Sequence, residues 1–245
     1  MAESPPPPLS RLAPAALFLD FDGTLVELAD VPGAIRIPAG LKPLLERLAV
    51  RLEGRLAIVS GRAIDDLQRH LGACGAVLSG SHGAELRYSD GRRVPVSAPE
   101  GLAEAREAIG RFAQGVRGLL IEDKPAGVAL HYRQAPERAR AVGDFMEELA
   151  GRTGLAVQRG KMVAELRPRD SDKGAAVRRL MAEPPFAGAR PVVVGDDLTD
   201  EPACEAAAVL GGAGVLVGRA RPTAARWRVA DVAEVTEWLE AAARE

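Results

Sequence analysis

The sequence predicts an α/β fold: a doubly wound, Rossmann-like parallel sheet core with an inserted α+β unit. Three observations carry this. Short apolar runs alternate with stretches of helical periodicity toward both ends of the chain, the alternation breaks in the middle, and two of the runs end directly in acidic clusters, at Asp20 and Asp196.

Residues 14–19 form an apolar run too short for a helix, bounded by Pro14 and Gly23, and predict a buried strand ending in Asp20. Leu41, Leu44, Leu45 and Leu48 recur at helical spacing, and Gly54 breaks the chain before a second apolar run, 56–59. A helix over 63–71 and a strand around 76–78 continue the alternation, the pattern of parallel strands joined by helical crossovers. From residue 98 the order changes to a helix (99–114), a strand pair (119–133), a helix (136–152) and a second strand pair (155–167). Helices there no longer separate every strand, so this stretch reads as antiparallel. A helix opening near Asp172, strands at 191–194 and 214–217 and a last helix over 232–243 resume the first pattern. The predicted domains are a disordered proline-rich tail (1–13), a core (14–97 and 168–245) and an inserted unit (98–167).

Composition narrows the function classes. The 245 residues carry 32 Lys+Arg against 34 Asp+Glu, so no global basic field exists for nucleic acid or an anionic membrane surface. The longest weakly polar run, 206–218, falls short of the roughly 20 apolar residues that span a bilayer. The N-terminal residues lack the basic and apolar regions of a secretory leader. Cys74 and Cys204 are too few for a disulfide framework and predict buried thiols in a reducing cytoplasm. The expected partner is a small molecule, in a cytoplasmic protein.

The sharpest segment is Asp20-Phe21-Asp22-Gly23-Thr24, directly after the first strand. Two carboxylates at i and i+2 can point at one small volume if the strand ends in a tight turn, which Gly23 permits. Carboxylates this close repel unless a cation or a shared proton intervenes, so the pattern predicts a Mg²⁺ site or an acid/base pair. A calcium loop counted from Asp20 would need glycine and glutamate where Leu25 and Val31 stand, which removes that alternative. A second cluster, Asp196, Asp197 and Asp200, follows the strand at 191–194 and would lie on the same sheet edge. Oxygen ligands without a Cys/His cluster point to a hard cation. Asp197 and Asp200 have a second, lesser reading as cap and first-turn residues of the next helix. Ser60-Gly61-Arg62, after the strand at 56–59, sets a hydroxyl and free N–H groups at a helix start, a natural phosphate cradle. Lys173 opens the helix after Asp172. It is one of only four lysines, which makes a placed charge as good a reading as a solvated one.

The order Asp-x-Asp-Gly-Thr, Ser60, Lys173 and Gly195-Asp196-Asp197 resembles the haloacid dehalogenase-like phosphatases. The resemblance implies that Asp20 attacks phosphorus to form an aspartyl phosphate, and that Asp22 first protonates the leaving oxygen and then deprotonates water. It further implies that Ser60 and Lys173 bind the phosphoryl oxygens and that Mg²⁺ is held by Asp20, the Asp22 carbonyl and Asp196. Gly80-Ser81-His82-Gly83, Glu122-x-Lys124, His131-x-Arg133, Lys161 with Glu165-x-Arg167-Pro168, and Asp196 to Glu201 resemble the trehalose-6-phosphate phosphatases. By that resemblance the insert is a cap, and Thr24, Gly61, Arg62, His82, Lys124, Lys161 and Glu165 are expected substrate contacts. Pairing inside the insert explains Glu122, His131 and Arg133 as well as ligand binding does. Closure of the cap about linkers near Ala98 and Pro168 is expected from the same resemblance. Alternatives are another capped sugar phosphatase, a receiver-like module phosphorylated on Asp20, and a phosphate-binding protein without turnover. Asp22 argues against the receiver, because an acid/base at that position hastens dephosphorylation, and the intact Asp20 and Asp22 pair argues against a binding protein without turnover.

Overall fold

The computed structural model describes residues 4–28, 35–160 and 162–245. They divide into two compact units, Met1–Val94 with Asp172–Glu245, and Pro95–Ser171. In the first unit β1 (Ala15–Leu19) is buried at every residue, as five consecutive apolar side chains require of a strand covered on both faces. It is followed by α1 (Leu41–Arg51), β2 (Leu56–Val59), α2 (Ile64–Leu71), β3 (Val77–Gly80), β4 (Glu85–Arg87) and β5 (Arg93–Val94).

The second unit contains α3 (Leu102–Ala113), β6 (Leu120–Lys124), β7 (Gly127–His131), α4 (Ala139–Thr153), β8 (Ala156–Gly160) and β9 (Val163–Arg167). Its sheet has the order β6-β7-β9-β8, antiparallel throughout. Val128, Leu130, Ala164 and Leu166 alternate onto one face and pack with Leu102, Ile109, Val142 and Met146 of the two helices. Met162 sits in the β8–β9 turn with φ +65°.

The chain then returns to the first unit through α5 (Lys173–Met181), β10 (Arg190–Gly195), α6 (Glu201–Val209), β11 (Ala213–Val217), β12 (Trp227–Val229) and α7 (Val232–Ala242). The sheet order is β12-β11-β10-β1-β2-β3-β4-β5, parallel from β12 to β3 and antiparallel beyond. Leu17, Leu19, Ile58, Val192 and Val194 face the layer of α1, α2 and α7, and Ala16, Phe18, Ala57 and Val193 face α5 and α6. Strand order reverses between β1 and β10, so the crevice at their carboxyl ends is a topological switch point. Leu19 pairs with Val194 there, and Asp20 N–H donates to the Val194 carbonyl at 2.9 Å, so both acidic clusters leave the sheet side by side.

Three strands, β4, β5 and β12, are too short and too polar to stand out in the sequence. Within the segment expected as a disordered tail, residues 4–12 make defined contacts while most of them stay exposed. Leu9 is buried in a 3₁₀ turn, Leu9–Leu12, the Pro7 carbonyl accepts from Trp238 Nε1 at 3.0 Å, and the Ser4 carbonyl accepts from Arg228 N–H at 2.9 Å. Prolines cannot donate, but their carbonyls accept, and Leu9 supplies an apolar anchor. Cys74 and Cys204 are buried free thiols. Among the described residues no helix is long and apolar enough to cross a membrane.

Candidate active site

The loop after β1 is built around Phe21, which is fully buried and leaves Asp20 and Asp22 on either side of it. Gly23 N–H donates to the Val26 carbonyl at 2.7 Å and Leu25 N–H to the Phe21 carbonyl at 2.9 Å, closing the turn. Gly23 has φ +77°, and a Cβ built there would lie 2.2 Å from Asp196 Oδ2. Only glycine suits both the backbone and this approach. Thr24 is completely buried, and its hydroxyl finds no hydrogen-bond partner among the described residues.

Lys173 is the charge hub. Asp172 caps α5, accepting from Ala175 N–H at 2.6 Å, and so presents the first helical residue to the crevice. Lys173 Nζ lies 2.7 Å from Asp20 Oδ1 and 2.6 Å from Asp200 Oδ1, with only 3% of its side chain exposed. Burial alone would lower the lysine pKa, but the two carboxylates reverse this and hold it above its ordinary range. Asp20, Asp196 and Asp200 each bring a carboxylate oxygen within 4.8 Å of the others. Burial first, then the neighbouring Asp200, raises Asp20 well above the ordinary carboxylate value, and the same causes push Asp196 up to about 6. Three carboxylates facing one ammonium leave two negative charges in excess, the charge a divalent cation supplies. The donor set, oxygen alone, fits a hard cation.

Asp197, expected among the metal ligands, is elsewhere: its Oδ1 accepts from Leu198 N–H at 2.7 Å as the cap of the short turn Leu198–Asp200. Asp200 completes that capping box by accepting from Asp197 N–H at 3.1 Å, and still reaches Lys173. The Asp22 carboxylate also lies outside the acidic group. Arg62 holds it in a two-pronged pair, Nε to Oδ2 and Nη2 to Oδ1, both at 2.7 Å. Arg62 was expected to contact substrate, and the structure assigns three of its nitrogens to carboxylates, since Nη1 also meets Asp66 Oδ2 at 2.5 Å. Burial would lower the Arg62 pKa, but these two carboxylates raise it. Asp66 was missed in the sequence, although it stands at i+4 from Arg62.

Ser60 follows β2, next to β1, and is buried; its Oγ accepts from Arg62 N–H at 3.1 Å, and its carbonyl accepts from His82 N–H at 2.9 Å. The His82 ring lies against Gly61, where a Cβ would come within 2.6 Å of it. Ser81 Oγ donates to the buried Glu85 Oε1 at 2.6 Å, bracing this turn, a contact without a sequence signal. In the second unit Lys124 Nζ pairs with Glu165 Oε2 at 2.5 Å, each side chain 6% exposed, and His131 Nε2 lies 2.8 Å from Glu122 Oε2. Lys161 lies outside the described residues.

A family model described as trehalose-phosphatase matches residues 18–233. A probable trehalose-phosphate phosphatase of Sinorhizobium fredii is 40% identical over 205 residues, 83% of this chain and 77% of that protein. A trehalose-6-phosphate phosphatase of Escherichia coli is 37% identical over 231 residues, 92% of this chain and 85% of that one. Among solved structures, the C-terminal domain of C. albicans trehalose-6-phosphate phosphatase superposes with a TM-score of 0.83 at 23% identity, covering 99% of both chains, which shows the fold. A haloacid dehalogenase-like hydrolase from Bacteroides thetaiotaomicron does so with a TM-score of 0.67 at 20% identity, covering 91% of this chain and 97% of that one.

Proposed function

The chain belongs to the trehalose-phosphatase family, and we propose that it hydrolyses trehalose 6-phosphate to trehalose and phosphate, the last step of trehalose formation, through a phosphorylated Asp20. The observation that carries the chemistry is the buried set of Asp20, Lys173 and Asp200 at the switch point, which gives a nucleophilic carboxylate a fixed position and a fixed counter-charge.

Asp20 attacks phosphorus as the bond to the sugar oxygen breaks. Asp22 gives that oxygen a proton, which spares the expulsion of a strongly basic alkoxide. The same group, now a carboxylate, takes a proton from the water that attacks the aspartyl phosphate and releases inorganic phosphate. Ser60 and Lys173 hold the phosphoryl oxygens, with Thr24 and Gly61 shaping the loops around them. Asp20, the Asp22 carbonyl and Asp196 would hold Mg²⁺, with Asp200 as the further carboxylate of the group. Bound there, the ion offsets charge on the phosphoryl group.

The second unit carries sugar specificity in this proposal, through Lys124, Lys161 and Glu165, whose charged ends suit hydroxyl groups. His82, in the first unit, is proposed as a substrate contact on its own motif. The sequence motifs and the family membership support that reading. The test is phosphate release with Mg²⁺ across trehalose 6-phosphate, sucrose 6-phosphate, glucose 6-phosphate, glucosyl 3-phosphoglycerate and p-nitrophenyl phosphate, with Asp20→Asn as control. Preference for trehalose 6-phosphate by orders of magnitude with a dead control is expected. Another preferred ester overturns the substrate, and no turnover at all overturns the mechanism.

A further inference from the structure

Asp22 has to deliver its proton to one particular oxygen, yet it sits on a loop and its side chain is 30% exposed. Arg62 aligns it. Two parallel bonds to a guanidinium fix both the position and the plane of a carboxylate, which a single bond would not. When one oxygen carries the proton, the other still accepts from Arg62, so the acid keeps its bearing while its O–H turns to the ester oxygen.

An arginine on a flexible stem can aim a carboxylate only if it is itself held. Its third contact, Nη1 to Asp66, comes from the first turn of α2, where the helix dipole favours a carboxylate. The guanidinium carbon also lies 5.6 Å from the centroid of the buried Phe21 ring, which in turn stacks on His70 at 6.4 Å. Asp66 is restrained in its own right, with Arg69 Nη2 at 3.1 Å and His70 Nε2 at 3.6 Å from Oδ1. The chain from α2 through Asp66 and Arg62 to Asp22 therefore has a rigid end. We propose that Asp66 is a positioning residue for the acid/base carboxylate, acting through Arg62 rather than on the substrate. This rests on the phosphatase reading above.

The leaving group separates this role from simple support of the fold. A sugar alkoxide needs the proton from Asp22, whereas p-nitrophenolate leaves without one, so its first turnover reports phosphorylation of Asp20 alone. Asp66→Ala is expected to lower kcat for trehalose 6-phosphate by about 10-fold or more, a part of the roughly 10²–10⁴-fold that a general acid supplies. KM should stay within about twofold, and single-turnover release of p-nitrophenolate should match the wild type. Asp66→Asn keeps an acceptor for Arg62 Nη1 and should recover most of the loss. Equal losses on both esters, or undiminished sugar phosphate turnover by Asp66→Ala, overturn the proposal, and Tm values for both variants expose any general loss of structure. If the wild type turns over a different sugar ester, the split is read on that ester. Failure of the wild type on every ester instead overturns the phosphatase reading, and the positioning role falls with it.

Discussion

The carboxylate of Asp196 lies against the α-carbon of Gly23, so close that a methyl group there would sit 2.2 Å from Oδ2. Two acidic clusters more than 170 residues apart in sequence thus share one wall of the crevice. Gly23→Ala should abolish phosphatase activity and lower Tm, because the added carbon strains a backbone at φ +77° and drives Asp196 aside. Gly110, within α3 with open space around its α-carbon, is the control. Gly110→Ala should raise stability by about 0.5–1 kcal/mol and leave activity alone.

Removing the hub should cost more than removing one spoke. Lys173→Met leaves Asp20 and Asp200 buried without their counter-charge, a loss of about 3–5 kcal/mol for a broken buried pair. Asp20→Asn removes a carboxylate whose ionised form burial and Asp200 disfavour. It should be inactive yet, in EDTA near pH 7, melt no lower than the wild type.

Asp196 makes stability depend on pH in a defined direction. Its folded pKa, about 6, lies above the ordinary 3.8, so the folded protein keeps a proton that the unfolded chain has given up. The contribution is fully present below about pH 3.8 and is lost as pH rises to about 6. A divalent cation favours the ionised form and opposes this loss. Melting curves from pH 4 to 8 should therefore show the Tm gain from Mg²⁺ growing through pH 5 to 7, and Asp196→Asn should flatten both the apo slope and the gain.

The pair of Lys124 and Glu165 is buried in the second unit, and the proposed function gives it a part in sugar specificity as well. Glu165→Gln should raise KM for trehalose 6-phosphate by about 10-fold or more while changing KM for p-nitrophenyl phosphate less than about twofold. It should also lower Tm, since Lys124 keeps its charge in a buried site. A lower Tm with unchanged sugar KM would remove Glu165 from the specificity set.

The sequence alone determined the parts that local chemistry writes into adjacent residues. Five apolar side chains of β1 can be satisfied only in a covered strand, and the carboxylates at i and i+2 after it mark the crevice end of that strand. The same holds for the helix start at Lys173, capped by Asp172. The tertiary structure decided which charges meet, because contacts between residues far apart in the chain leave no periodicity to read. It gave Asp197 to a helix cap and Asp200 to Lys173, although the two stand three residues apart with the same side chain. It turned Arg62 toward Asp22 and Asp66, and it folded the proline-rich start of the chain onto Trp238. Each outcome follows from distances set by strand register and helix packing, and a carboxylate's role depends on whether an ammonium, a guanidinium or a backbone N–H lies within about 3 Å of it.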